Sequence, residues 1–140
     1  MADVIYNSFK SDLMKGAIDL DTNSFKCMLV TSSYTPNQDT HTTKANVTNE
    51  VSGTGYTARG VALTGLAVTT DNTNNRGLWD FNNPQWLTST ITARGAVIYK
   101  DTGTDATDLL VAYIDFTTDK SSSAGTFELI IDANGFLALT

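Results

Sequence analysis

"ITARGAVIY", residues 91–99, alternates along its whole length: Ile91, Ala93, Val97 and Tyr99 oppose Thr92, Arg94, Ala96 and Ile98. A period of two is the signature of an extended strand, whose successive side chains point to opposite faces. Residues 109–116, "LLVAYIDF", follow the same rule, with Leu110, Ala112, Ile114 and Phe116 against Val111, Tyr113 and Asp115. Two neighbouring strands of this kind set the expectation for the rest of the chain.

Working outward, Phe25, Cys27 and Leu29 alternate with Lys26, Met28 and Val30, which predicts a strand buried on at least one face. Tyr56, Ala58, Val61 and Leu63 suggest a strand interrupted near Gly60, and Leu66 and Val68 continue it past Gly65. "DNTNNRG", residues 71–77, is turn chemistry; Leu78–Phe81 reads as a short strand, and Pro84 beside Trp86 as a corner. In "FELIIDANGFLALT", residues 127–140, the Asn134-Gly135 pair predicts a tight hairpin turn between two apolar strands. About eight strands at short spacing point to an all-β sandwich or barrel. One short helix is expected near the start, capped by Asn7 or Ser8, carrying Phe9, Leu13 and Met14, and stopped at Gly16.

The 140 residues fit one domain, large enough for a core without staples. A flexible N-terminal arm over about residues 1–8 and a long polar loop over about 31–50 are the segments expected to be free of that core. Charged residues make up 17 %, low against a typical share of about 25 %. Thr, Asn, Ser and Asp supply the polarity instead, as strand edges and turns require.

The net charge of −6, with nine scattered Lys and Arg, argues against nucleic-acid binding, which draws its affinity from basic residues. Cys27 is the only cysteine, so neither an intrachain disulfide nor a cysteine-based metal cluster is expected. The first residues have no basic start followed by an apolar stretch, and no apolar run approaches the roughly 20 residues that span a bilayer. A soluble protein made in a cytoplasm, with no membrane partner, is the expectation.

Glycine loops carrying a basic residue can cradle phosphates, and "VSGTGYTARGVAL", residues 51–63, has three glycines and Arg59. A Walker-type loop needs lysine and a hydroxyl residue after its last glycine, but Val61 and Ala62 stand there; a dinucleotide fingerprint fails for want of a third glycine and a helix. Thr57-Ala58-Arg59-Gly60 returns as Thr92-Ala93-Arg94-Gly95, too brief to make a repeat. The two arginines read as solvated strand positions or as contacts to a protein neighbour, where arginine is enriched. "DLDTN", residues 19–23, mimics the opening of a calcium loop, but Ser24 and Val30 occupy the positions that need Gly and Glu. His41 is the only histidine and sits in the polar loop. No metal, no cofactor and no catalytic group is expected. Trp79, Trp86 and Tyr56 read as core and corner packing, with a sugar-stacking platform as the alternative.

Four stretches carry a resemblance: "MADVIYNSFKSDLMKGAIDLDT" (1–22), "VTNEVSGTGYTARG" (47–60), "STITARGAVIYKDTGT" (89–104) and "DANGFLALT" (132–140). Together they resemble a family of small tailed-bacteriophage virion proteins, the capsid decoration or cement proteins, over nearly the whole chain. The resemblance implies a jelly-roll-like β-sandwich on the outer surface of the assembled head, without enzymatic activity. The implied partners are the major capsid protein and further copies of the chain, as a dimer or trimer. Tyr34, Pro36 and His41 of the polar loop, with Arg59 and Arg94, are the candidate contacts. A glycan-binding module for the host surface, or a tail component, is the alternative.

Overall fold

A computed structural model describes residues 2–140. In chain order the elements are β1 (Val4–Ile5), α1 (Asn7–Met14), β2 (Phe25–Val30), a 3-10 turn (Lys44–Asn46), β3 (Val61–Ala62), β4 (Ala67–Asp71), β5 (Arg76–Asp80), β6 (Gln85–Ser89), β7 (Thr92–Lys100), β8 (Leu110–Ser121), β9 (Gly125–Glu128) and β10 (Leu137–Leu139). They form a five-stranded sheet, β1-β8-β7-β2-β3, a three-stranded sheet, β10-β5-β4, and the pair β6-β9. Every pairing is antiparallel. The all-β sandwich with one short helix is the architecture found, built from ten strands among the described residues.

The larger core lies where the five-stranded sheet meets the other two. Phe25, Cys27, Leu29, Ala96 and Ile98 from the large sheet meet Trp79, Trp86 and Phe127 from the smaller ones, and Phe9 of α1 closes one end. A second core covers the opposite face: Met28, Val30, Val97, Tyr99, Leu110 and Tyr113 pack under Tyr6 and Tyr34. The large sheet is therefore buried on both faces. That explains why β2 is apolar on both its parities, as a strand buried on two sides must be.

The polar segment 31–50 supplies that second cover and is not a free loop. Its hydrophilic residues satisfy their own backbone. The Asn37 side-chain oxygen accepts from the Asp39 and Thr40 N–H groups, and the Asn46 side-chain oxygen from those of Thr42 and Thr43. Tyr34 and Val47 are left to anchor it on the sheet. The N-terminal arm is likewise tied down. Val4 and Ile5 pair with Tyr113 and Ala112 of β8, and Tyr6 is fully buried. The helix is capped from outside: Tyr6 is its N-cap without a side-chain bond, and the Asn7 N–H donates to the Gln38 carbonyl of the polar segment.

Two further expectations need correction. Ala93 and Ala96, which a regular strand would place on opposite faces, both reach the larger core. The alternation breaks where the β7–β8 register jumps, between Ala93 and Gly95, and Arg94 lies at the break. The Asn134-Gly135 hairpin does not form either. Phe127 of β9 pairs with Trp86 of β6, while Leu137 of β10 pairs with Trp79 of β5. Of the two turn residues only Gly135 has a positive φ, and the Asp132 carboxylate holds Asn134 by accepting both its backbone N–H and its side-chain amide. A type I′ turn needs positive φ at both, and these strands had different partners waiting.

The residues around Gly60 are also less regular than expected, since only Val61 and Ala62 join the sheet. By contrast the turn at 71–76 is a hairpin linking β4 and β5, closed by the Asp71–Arg76 pair at 2.9 Å.

Candidate functional site

The two copies of Thr-Ala-Arg-Gly play parallel parts. A Cβ on Gly60 would lie 1.9 Å from the Cys27 carbonyl oxygen, and one on Gly95 would lie 2.5 Å from the Tyr113 ring. Each glycine thus lets its segment close against a neighbouring strand, and each arginine beside it is engaged by aspartate.

Arg59 is the centre of the denser arrangement. It sits in the left-handed region with φ 79°, an unusual conformation for a side chain of this size. Its backbone is held at both ends. The N–H donates to the Glu50 carboxylate at 2.6 Å, and the carbonyl accepts from the Tyr99 hydroxyl at 2.6 Å. Glu50 accepts from the Tyr56 hydroxyl at 2.8 Å as well, and that hydroxyl oxygen accepts from the Leu29 N–H at 3.0 Å.

The guanidinium of Arg59 meets three carboxylates of the turn between β7 and β8: Asp101 at 2.9 Å, Asp105, and the fully buried Asp108. Asp108 also accepts from the Thr102 N–H and hydroxyl, both at 2.7 Å. Lys26 approaches Asp101 at 3.6 Å, and the buried Lys44 reaches Asp105 at 3.3 Å. Three carboxylates and three cations make the cluster electrically balanced. Burial alone would raise the carboxyl pKa of Asp101, but the Arg59 guanidinium, the Gly103 N–H and Lys26 hold it below the usual carboxylate range. Burial opposes the charge on Arg59, and the bonds to Asp101 and Asp108 outweigh it and push its pKa up. An arginine so enclosed by carboxylates has no electrostatic appetite for a phosphate.

Arg94 makes a simpler pair, Nε to the Asp115 carboxylate at 3.1 Å, with the aspartate side chain almost wholly buried. The Thr117 N–H donates to the same carboxylate oxygen, and the Asp3 carboxylate accepts from the Asp115 N–H at 2.7 Å. This pair ties the N-terminal segment to the β7–β8 irregularity.

Tyr34 and His41 belong to one chain of hydrogen bonds. The Asn37 N–H can only donate, so His41 Nδ1 is an acceptor; Tyr34 then donates to Nδ1 at 2.9 Å and accepts from Tyr6 at 2.9 Å. The two rings lie nearly parallel, 26° apart. Burial lowers the His41 pKa and favours the neutral ring that this arrangement requires. Pro36 is half-buried in the same segment. The five candidate contacts therefore fall into three places, and four of them are occupied by bonds within the chain.

Trp79 and Trp86 are buried, and Tyr56 stacks on Trp86, with ring planes 21° apart. They pack the interior and do not form an exposed stacking platform. The residues that sequence reasoning passed over are Glu50, Asp101, Asp105 and Asp108. The only sequence signal among them is three aspartates within eight residues, lacking any mark of the distant arginine they meet.

Among the described residues no group of three or more His, Cys, Asp or Glu side chains is arranged to hold a metal ion. No described helix is long and apolar enough to cross a membrane. Compared with family models, curated proteins and solved structures, the chain finds no match.

Proposed function

We propose that the protein is a structural component of a tailed-phage virion that binds the outside of the assembled head and cements neighbouring major capsid protein subunits. One observation carries this reading: stretches that resemble cement proteins interlock with each other. Arg59 of one stretch, its N–H held by Glu50, meets Tyr99 and Asp101 of another, and Thr54 bridges to Thr90. Tyr6 of the first stretch is buried in the second core with Val97 and Tyr99 of the third. Residues spent on fixing a rigid frame suit a protein whose work is to hold a shape. Preorganised surfaces lose little freedom on binding, which favours a static clamp.

In this reading the protein performs no chemistry. A ligand that binds only the expanded shell stabilises it by mass action, by about 2.7 kcal/mol per site at a hundredfold excess over its dissociation constant. Many copies on one head would resist the outward pressure of packaged DNA.

The test is cosedimentation of purified protein with empty expanded heads and with unexpanded heads of the phage that encodes it. Binding to expanded heads, with a raised temperature of DNA release, is the expected result. Failure to bind, together with capture of defined sugars on a glycan array, would transfer the assignment to a host-surface module.

A further inference from the structure

Asn134-Gly135 forms no hairpin, yet it is the only place in the chain where glycine follows asparagine. That pair has a covalent chemistry of its own. Glycine has no side chain to shield its backbone nitrogen, so the nitrogen can attack the side-chain carbonyl carbon of the asparagine before it. The attacking nitrogen gives up its proton, the side-chain amide takes one and leaves as ammonia, and a five-membered imide closes. Water then opens the imide at either carbonyl. The product is aspartate or, with the main chain rerouted through the side chain, isoaspartate. Water is the only reagent, and asparagine is a thermolabile residue.

Asp132, Ala133 and Asn134 are all exposed, so water reaches the site and the fold controls only the ring closure. Closure needs a free Gly135 nitrogen and an Asn134 side chain swung towards it. One residue withholds both. The Asp132 carbonyl accepts from the Gly135 N–H at 2.9 Å. The Asp132 carboxylate accepts from the Asn134 side-chain amide at 3.0 Å and from its backbone N–H at 2.8 Å.

We propose that Asn134 is a deamidation site held latent by Asp132, and that its conversion detaches β10 from β5. The backbone behind the turn has no slack for the product. Gly135 lies against β5: a Cβ on it would be 3.4 Å from the Trp79 carbonyl oxygen, and the Phe136 N–H donates to that same oxygen at 2.8 Å. Isoaspartate inserts a backbone methylene just ahead of this bond. Either product also sets a second carboxylate beside Asp132, where an amide donor had been, and like charges so placed repel.

β10 is a three-residue edge strand paired with β5, and so short an element opens at little cost. Its loss lifts Phe136 off Trp79 and Phe81 and leaves that edge of β5 unpaired, the kind of edge to which other chains add. The molecule thus carries a one-way, time-dependent change from a closed sheet edge to an open one. The inference stands apart from the capsid reading, because the isolated protein undergoes the reaction.

Ageing the purified full chain in mildly alkaline buffer, folded and in urea, tests it. Peptide mass spectrometry locates the change from amide to acid at Asn134, and enzymatic methylation marks isoaspartate. The folded wild type should convert about tenfold or more slowly than the unfolded chain, because the bonded turn must open first. Folded Asp132→Ala should convert several-fold faster than the folded wild type, and in urea the two should match. In the aged wild type, amide hydrogen exchange should speed up at residues 136–139; Asn134→Gln, aged alongside, should keep its protection there. Equal rates for folded and unfolded wild type overturn the proposal, as does a folded wild type in which Asn134 never converts. So does an Asp132→Ala protein that converts no faster, or a converted protein whose β10 amides stay protected.

Discussion

The Tyr99 hydroxyl donates to the Arg59 carbonyl across 2.6 Å and so fixes the backbone of a residue whose side chain faces three aspartates. Tyr99 comes from the end of β7, and Arg59 from an irregular segment that closes against β2. This bond and the ion cluster hold one arginine from both sides, and the strand and that segment are locked through it.

Arg59→Ala should cost about 3–5 kcal/mol, the usual penalty for leaving a buried charge without its partner, because Asp108 has no exposure of its own. Arg59→Lys should recover only part, since an ammonium cannot span carboxylates as a planar guanidinium does. Three aspartates left with two lysines should also gain an affinity for divalent cations. Calcium should raise the melting temperature of Arg59→Ala and leave the wild type unchanged. Calorimetry with and without calcium measures both effects, and an Arg59→Ala protein as stable as the wild type would contradict the buried-charge account.

His41 predicts a pH dependence with a definite sign. Its pKa is lowered in the folded state, so the unfolded chain takes up the proton first as pH falls. The stabilisation is present above the ordinary histidine value and is lost as pH drops through the lower folded value. Denaturation midpoints between roughly pH 7.5 and 5.5, where carboxylates scarcely titrate, should fall with pH. His41→Gln should flatten the curve in that window, because the chain has no other histidine.

Two glycines should behave in opposite ways. Gly60→Ala must push the Cys27 carbonyl away and hold φ at +81°, so it should lower stability by about 2 kcal/mol or more. At Gly77 an added Cβ meets nothing within 4 Å and φ is not positive; alanine there should be neutral or stabilising by about 0.5 kcal/mol. Urea unfolding of the two variants separates them.

Cys27 is fully buried, and burial pushes its thiol pKa up, away from the reactive thiolate. A thiol reagent should label the native protein only at the rate of unfolding and the denatured protein at once. Fast native labelling would mean that the core between the sheets opens readily.

The strands β2, β7 and β8 and the polar hairpin at 71–76 were legible because their signals are local. What failed was non-local. Phe127 and Leu137 are apolar and flank a turn-forming pair, yet each finds a better partner elsewhere in the chain. The segment 31–50 looked free because its polar residues outnumber its anchors, and only the bare second face of the sheet explains why Tyr34 and Val47 suffice. The parity break at Arg94 falls where β8 carries extra residues, and the sequence of β7 by itself gives no sign of it. At Arg59 the motif could be seen but not its partners, which lie more than 40 residues further along the chain.

The pairing of Val4 with Tyr113 and of Ile5 with Ala112 constrains how the molecule comes into being. During synthesis the first strand has no partner until most of the chain has been made, and the eight-residue helix that follows is too short to persist alone. β7 and β8, joined by a short turn, can find each other early, while the edge strand and the cover over the second core must wait. The start of the chain is thus among the last parts to settle, and a polypeptide cut short before Tyr113 would leave it with nothing to fold against.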